Sequence, residues 1–226
     1  MLFRSGLSRL QMQSMRILRR SRNCEQQRLL SRALLSEWEQ TATRRARILK
    51  VAEEHFRRIG HHKTSVADIA SELGMSPANV YRFFPSRDAI NESICGRIVN
   101  EVADIGFAIA RANARPVEKL DLLLTAVHQH NKMTLVREKH MHDLIVAATQ
   151  QNWAIIKAHV ERMVTIFEAI IREGVEAGEF DVDDAAEAAR AVRSAFMPFF
   201  HPVLIEHCVQ HGEDIEAGLR TRFALS

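Results

Sequence analysis

Residues 64–90 read TSVADIASELGMSPANVYRFFPSRDAI and contain the most informative pattern in the chain. It predicts two short amphipathic helices joined by a tight, glycine-centred turn. In the second helix Val80 and Phe84 lie four residues apart and share an inward face. Asn79 and Arg82 then lie on the outward face. A helix packed in this way can place its polar side in a DNA major groove.

Local capping signals fix the ends of these helices. Ser65, followed by Asp68 three residues later, resembles a capping box in which Asp replaces the usual Glu. Ser76 is a favourable N-cap, and Pro77 suits the first turn because its missing N–H would have no helical partner there. Ser86 is expected to cap the next helix. The sequence therefore predicts a helix-turn-helix that is followed directly by another helix.

Apolar residues recur at three- and four-residue steps along most of the remaining chain, and no stretch alternates as a strand does. The fold class expected is all-α. The last helix but one in the chain, expected to end at residue 211, is predicted to begin at a cap at Asp181 or Asp183 and to bend at Pro198 or Pro202. The further predicted helices span residues 43–59, 87–112, 116–135, 136–150, 152–177, 181 or 183 to 211, and 212 to the C-terminus.

Charge is unevenly distributed along the chain. Residues 1–98 hold 18 Lys and Arg against 9 Asp and Glu, whereas residues 99–226 hold 13 against 19. A basic first half beside an acidic second half indicates that the first half meets a polyanion such as DNA. A solvated basic surface without a partner is the alternative that charge alone leaves open.

Three widely spaced cysteines, Cys24, Cys95 and Cys208, argue against a disulfide framework or a zinc finger and fit a reducing cytoplasm. No apolar run reaches the roughly 18 residues expected of a membrane span. We therefore expect a cytoplasmic protein that has no membrane partner.

The N-terminal extension, residues 1–40, is basic and carries six arginines before the first acid, Glu25. It is open to three interpretations: an organelle transit peptide, a basic arm that adds DNA affinity, or an upstream translation start. An accessory or spurious extension is favoured, and whether it is ordered is left open. Residues 26–40 have the spacing of a loose amphipathic helix.

Outward residues of the helix-turn-helix divide by the chemistry that each can offer to DNA. Asn bonds adenine bidentately, Arg bonds guanine, and an Ala methyl contacts thymine. Phosphate contacts set the register on DNA and carry no sequence information. The expected base-facing residues are Pro77, Ala78, Asn79 and Arg82, and the expected phosphate-bonding residues are Ser65, Ser76, Tyr81 and Arg87.

In combination, these motifs resemble the TetR/AcrR (tetracycline-repressor) family of bacterial regulators. The family pattern is an apolar helix ending in Gly, then T-T-x-x-D-I-A, G-V-S, x-x-x-L-Y-x-H/Y-F and S-K-x-x-L. This chain reads Gly60, T-S-V-A-D-I-A, G-M-S, P-A-N-V-Y-R-F-F and S-R-D-A-I, a match over about residues 44–98. Phe83 stands where the family often has His or Tyr, and Arg87 replaces the usual Lys.

The resemblance implies a helix-turn-helix domain at residues 41–98 and a helical ligand-binding and dimerisation domain at residues 99–226. It implies a homodimer whose last two long helices pair with those of a second copy, a double-stranded DNA operator, and a small-molecule effector bound inside the body. The expected function is a transcriptional regulator, most often a repressor, with no cofactor. From the residues alone, Ala185–Ala195 permits close helix approach, and Phe196–Phe200 supplies apolar anchors for pairing.

Single residues of the body offer weaker signals. Polar points in an apolar wall are typical of an effector cavity, although ordinary core or surface positions explain each of them as well. His207 and His211 share a helix face near Cys208, but no full ligand set accompanies them, and no metal site is predicted. Cys95 is expected to be an inert buried thiol rather than an oxidant sensor. The effector-binding candidates are His128, Asn131, His142, Trp153 and Phe196.

Two other classes of protein remain as alternatives. One is a helical ligand-binding or interaction protein without specific DNA binding, which the basic first half disfavours. The other is a DNA-processing enzyme that uses the head for targeting. The sequence has no Gly-rich phosphate loop, no G-x-S-x-G and no H-E-x-x-H, so no enzyme is predicted.

Overall fold

A computed structural model of the chain describes residues 24–136 and 138–211. Every regular element within these residues is a helix, which confirms the predicted all-α class. None of the helices in this part of the chain is long and apolar enough to cross a bilayer. Residues 1–23 of the predicted extension and the helix predicted from residue 212 lie outside the described ranges.

Three helices form the head: α1 (Cys24–Ile59), α2 (Val66–Glu72) and α3 (Pro77–Tyr81). The first is one uninterrupted helix, where the sequence analysis expected a loose helix and a separate firm helix from about residue 43. It runs across the predicted domain boundary at residues 40 and 41, and that boundary remains a prediction.

The predicted caps of α2, α3 and the following helix are confirmed. Ser65 Oγ accepts from the Asp68 N–H at 3.1 Å, and Asp68 Oδ2 accepts from the Ser65 N–H at 2.9 Å, which completes the capping box. Ser76 Oγ accepts from the Asn79 N–H at 3.3 Å. Ser86 Oγ accepts from the Ala89 N–H at 3.0 Å. Local hydrogen bonding therefore sets where each helix begins.

The body consists of seven helices within the described residues, with a π-helical turn at Lys132–Val136 between two of them. A simple junction between two helices is predicted there from the sequence, at residues 135 and 136. The body helices are α4 (Arg87–Ala110), α5 (Pro116–Asn131), α6 (Lys139–Gln150), α7 (Ala154–Glu176), α8 (Ala185–Ala195), α9 (Met197–Phe200) and α10 (Pro202–Gln210).

Two expectations about the end of the body are wrong. The cap of α8 is Asp184, whose Oδ1 accepts from the N–H groups of Ala186 and Glu187 at 2.8 and 3.0 Å, rather than Asp181 or Asp183. The single bent helix expected up to residue 211 is divided into α8, α9 and α10. Proline lies within the first two positions of both α9 and α10, where its missing N–H leaves no helical bond unmade.

The apolar core of the body joins α4, α5 and α7 and is closed by α8 and α9. Phe167 lies at its centre with 0% of its surface exposed, and Phe199 belongs to the same core with 5% exposed. Phe199 is therefore packed within its own chain. It is not exposed for contact with a second copy, as the predicted role of Phe196–Phe200 as apolar anchors requires.

Candidate nucleic-acid interface and cavity

The third helix is anchored by the two side chains that the spacing predicts to face inward. Val80 is 0% exposed and Phe84 is 1% exposed. Helix α3 ends at Tyr81, and the Phe84 N–H still bonds the Val80 carbonyl at 3.0 Å, so the turn continues to the second anchor. Four of the predicted DNA-contacting residues of this segment are exposed and Asn79 is half-buried; the exposed four are Pro77, Ala78, Tyr81 and Arg82.

The two serines predicted to contact phosphate differ in whether the hydroxyl proton is already donated within the chain. Ser65 Oγ donates its proton to Asp68 Oδ2 at 2.6 Å, so the hydroxyl is occupied on both sides. The same hydrogen bonds hold the pKa of the Asp68 carboxyl below its usual range. Among the residues that the structure describes, Ser76 Oγ only accepts, from the Asn79 N–H, and its own proton has no acceptor there. The geometry therefore favours Ser76 over Ser65 as a hydroxyl donor to phosphate.

The glycine that ends α1 has the left-handed conformation expected of a helix C-cap. Gly60 has φ +88° and donates its N–H to the Phe56 carbonyl at 2.9 Å. The next residue, His61, is buried, and its pKa is lowered to about 4, chiefly by burial and then by the charges of His62 and Arg87. Arg87 itself is half-buried at the first position of α4.

Ion pairs connect the end of α1 to the body. Glu53 on α1 pairs with Arg97 on α4 at 2.8 Å and with Arg57 on its own helix at 2.7 Å. Arg57 also pairs with Glu138, which lies just before α6. Hydrogen bonds to these two carboxylates raise the pKa of the Arg57 guanidinium. The end of α1 is thus held to both α4 and α6.

A cavity of about 140 Å³ lies inside the body and is lined by residues of α4 through α9 and by the first residues after α9. Most of its wall is Ile, Val, Met and Phe. The polar lining residues are Asn131, Thr149, His159, Arg193 and His201. An apolar enclosure with a few polar groups is typical of a small-molecule site.

Only one of the five predicted effector-binding residues, Asn131, lines this cavity. His128 is buried and bonds the Phe199 carbonyl through Nδ1 at 3.1 Å. His142 is buried and pairs with Glu206 at 2.9 Å. The indole N–H of Trp153 bonds Gln151 at 3.0 Å, and Phe196 packs against the body core.

Three lining residues that sequence reasoning missed carry the chemistry of the cavity. They are His159 on α7, Arg193 on α8 and His201 between α9 and α10. Arg193 reads in sequence as one more basic residue near a helix end. A signal was available for His159, which lies between the apolar residues Ile156, Val160 and Met163 that share the cavity wall.

Two other features of the sequence have a structural explanation. The rings of His207 and His211 stack at 4.1 Å, and His211 Nδ1 bonds the His207 carbonyl at 2.8 Å. In the described ranges, no group of three His, Cys, Asp or Glu side chains has the arrangement of a metal site.

Cys95 is 0% exposed, and burial raises the pKa of its thiol to about 12, which makes the reactive thiolate scarce.

Two family models match the chain at the head and at the body. The model of bacterial regulatory proteins of the tetR family matches residues 48–94, and that of the tetracyclin repressor-like C-terminal domain matches residues 116–218. Together they match about two thirds of the chain. The HTH-type transcriptional repressor KstR2 of Mycobacterium tuberculosis is 22% identical over 148 residues, which is 64% of this chain and 72% of KstR2.

Solved structures share the fold. A transcriptional regulator of the TetR/AcrR family from Thermobifida fusca superimposes with a TM-score of 0.56 at 26% identity, over 70% of this chain and 82% of that one. The regulator FadR from Bacillus subtilis, solved with stearoyl-CoA, gives 0.55 at 19% identity over 80% and 96%. The anchored helix-turn-helix, the helical body and both family models lead to one conclusion: the chain belongs to the TetR family and is a DNA-binding transcriptional regulator, not an enzyme.

Proposed function

We propose that this chain acts in the cytoplasm as a homodimeric repressor that binds a palindromic operator and is released by a small-molecule effector. The observation that carries the proposal is the orientation of α3. Val80 and Phe84 are buried, so the opposite face, with Ala78 and Arg82, is presented outward. KstR2 is named a repressor, and this supports repression rather than activation as the action of this chain.

Sequence preference is assigned to the outward face of α3. Arg82 is exposed at its C-terminal end and can bond guanine bidentately, whereas Asn79 can do the same with adenine. Ala78 and Pro77 offer apolar contact near the helix start. Each bidentate contact discriminates against the wrong base by about 1–3 kcal/mol.

Phosphate contacts are assigned to the residues that flank this face. Tyr81 is 48% exposed and carries a phenolic hydroxyl. Ser76 has a free hydroxyl proton, and Arg87 brings a guanidinium to the start of α4. Such contacts fix register and orientation on the duplex without reading sequence.

Helix α4 is the element that would carry a signal from the cavity to the head. It begins immediately after the helix-turn-helix at Arg87, and its residues Ile98, Val99 and Val102 line the cavity. Val99 lies twelve positions after Arg87, which is about 18 Å along the helix at a rise of 1.5 Å per residue. An effector that prefers a different position of α4 would change the spacing of the two heads, and only that differential affinity releases DNA.

Dimerisation is part of the proposal, and both the operator geometry and the surface of the body support it. Two recognition helices held about 34–36 Å apart read half-sites one DNA turn apart. Helix α10 exposes Val203 and Leu204, at 40% and 38% of their surface. Exposed apolar residues of this kind are consistent with burial against a second copy.

The test is fluorescence anisotropy with DNA from upstream of the chain's own gene, compared with scrambled DNA across a salt series. The proposal expects a strong preference for the upstream DNA and a steep salt dependence. Equal, weak binding to both would instead support a helical ligand-binding protein without specific DNA recognition.

Matched variants separate base contacts from phosphate contacts. Arg82→Ala should relax the preference at one base position by about 1–3 kcal/mol, whereas Arg87→Ala should weaken all DNA alike and lower the salt slope by about 1. Arg190→Ala removes an exposed arginine on α8 and is the control for charge alone. An unchanged preference in Arg82→Ala would show that the groove assignment is wrong.

A further inference from the structure

The charge balance of the cavity wall is one-sided. Its seventeen lining residues include one arginine and no Asp or Glu. Twelve of the seventeen are apolar. A ligand that fills this cavity therefore meets a hydrocarbon surface together with a single fixed positive charge.

That charge, on Arg193, has no partner among the described residues. Its side chain is half-buried on α8, and none of the ion pairs or hydrogen bonds of these residues involves its guanidinium. The neighbouring Arg190 is exposed on the same helix, and its charge acts on Asp184 at the helix start. A partly desolvated guanidinium with five donors favours a planar anion that accepts two parallel hydrogen bonds.

The cavity histidines add hydrogen-bonding groups rather than charge. The His159 ring bonds the Val99 carbonyl, and its buried Nδ1 atom has no hydrogen-bond partner. Burial and then the charge of Arg162 lower the pKa of His159 to about 4, so the ring is neutral at pH 7. A neutral imidazole carries one N–H and one lone pair, so the unpartnered Nδ1 atom offers a bound ligand one hydrogen bond, as donor or as acceptor.

His201 brings a second unpartnered ring nitrogen to the wall. Its buried Nδ1 atom also has no hydrogen-bond partner, and its pKa is lowered first by burial and then by His142. The lining holds one guanidinium and no other fixed cation, so a second carboxylate would be buried without a partner charge. The wall therefore favours one negative charge on the ligand over two.

The cavity has room for a compact apolar group. A dry cavity of about 150 Å³ holds a molecule of the size of benzene. The volume here, about 140 Å³, is close to that value. A six-membered ring or a short aliphatic chain matches this space.

We propose that the cavity binds a compact apolar monocarboxylate whose carboxylate pairs with the Arg193 guanidinium. The apolar part lies against the wall formed by α4 and α7, where Val102, Met163 and Phe167 line the cavity. This proposal names the chemical class of the effector and rests on the proposed function.

The experiment is isothermal titration calorimetry on the full chain at pH 7 with benzoate, hexanoate, benzamide and phthalate. We expect benzoate or hexanoate to bind, and benzamide and phthalate to bind about ten-fold more weakly or worse, because a hydrogen bond to a charged group is lost or a second charge is buried. The proposal is overturned if neither monocarboxylate binds, or if benzamide binds as tightly as benzoate.

Variants assign the binding to Arg193. Arg193→Gln should weaken the monocarboxylate at least about ten-fold while leaving benzamide unchanged. Arg193→Lys, which keeps the charge but lacks the planar fork, should fall between this variant and the wild type. The matched control Arg190→Gln should bind as the wild type does. Equal losses in both glutamine variants overturn the proposal, and circular dichroism establishes that each variant is folded.

A separate DNA-release measurement distinguishes the two proposals. Anisotropy of bound upstream DNA is followed while benzoate or hexanoate is added. Binding of the carboxylate in calorimetry without DNA release would contradict effector release and leave the cavity inference standing. A different outcome would contradict only the inference about the cavity and leave effector release standing. In that outcome, no carboxylate binds, and a neutral or cationic compound that competes for the cavity releases the DNA.

Discussion

Lys119 offers the sharpest prediction about what stabilises the body. Its side chain is 5% exposed, and its ammonium donates to both carboxylate oxygens of Glu173 at 2.7 Å and to the Ala110 carbonyl at 3.2 Å. Glu173 is 44% exposed. Because only Lys119 is buried, loss of the Glu173 charge leaves a buried ammonium without its partner. Loss of the Lys119 charge leaves a carboxylate that water can solvate.

Glu173→Gln leaves a buried ammonium opposite a neutral amide. Removal of one partner from a fully buried pair costs about 3–5 kcal/mol of unfolding free energy. Because water already screens Glu173, we reduce the expected cost to about 2 kcal/mol. Lys119→Met instead removes the buried charge, keeps an apolar stem, and leaves Glu173 in contact with water. We expect it to cost less than about 1 kcal/mol.

Urea unfolding followed by circular dichroism measures both variants and their combination. In the Lys119→Met background, Glu173→Gln should cost close to zero, which makes the coupling energy about 2 kcal/mol. Glu168→Gln, which breaks an exposed pair with Arg172 on the same helix, is the control and should change stability by less than about 0.5 kcal/mol. The reasoning is refuted if Lys119→Met costs as much as Glu173→Gln, or if Glu173→Gln costs the same in both backgrounds.

Four further predictions concern the head and the cavity wall. Phe84→Ala should lower the free energy of unfolding by about 3–5 kcal/mol in urea titration and weaken DNA binding, since a fully buried ring is lost; a cost below about 1 kcal/mol would contradict the anchoring. Ser76→Ala should cost about 1 kcal/mol in thermal unfolding by removing a cap, and an unchanged melting temperature would argue against that cap. Gly60→Ala should destabilise by more than about 1 kcal/mol, because φ is +88° and an added Cβ would lie 3.2 Å from Nδ1 of His140; a neutral result in the same assay would rule out this strain. The pKa of His159 is lowered to about 4 in the folded chain, so between about pH 6.5 and 4 the unfolded chain binds more protons, and the free energy of unfolding falls as the pH falls through this window. His159→Gln should therefore reduce the loss of stability between pH 7 and 5 by roughly 2 kcal/mol. A pH profile identical to that of the wild type would contradict burial of the neutral ring.

Sequence alone predicted the features that depend on neighbouring residues. The caps at Ser65, Ser76 and Ser86 each need only a hydroxyl and a backbone N–H three residues later. Gly60 and Gly178 end helices with positive φ, as their position after an apolar repeat predicts. The inward face of α3 follows from helical periodicity. The roles of the outward residues on DNA remain predictions.

Sequence could not predict the features that depend on distant residues. His128 was expected in the effector cavity but bonds a carbonyl 71 residues away. His142 pairs with Glu206 on α10, and no local pattern joins those two positions. Arg193 becomes distinctive only because α8 brings it to an apolar wall without a carboxylate nearby. The cap at Asp184 was missed because Asp181 and Asp183 carry the same local signal.

Selection of binding sites from a random DNA pool by the full chain shows whether a dimer reads sequence through α3. The account predicts enrichment of a palindrome whose half-sites lie about one DNA turn apart, with Arg82→Ala losing the preference at one position in each half-site. A retained pool without any enriched sequence, or an Arg82→Ala pool identical to that of the wild type, would contradict it.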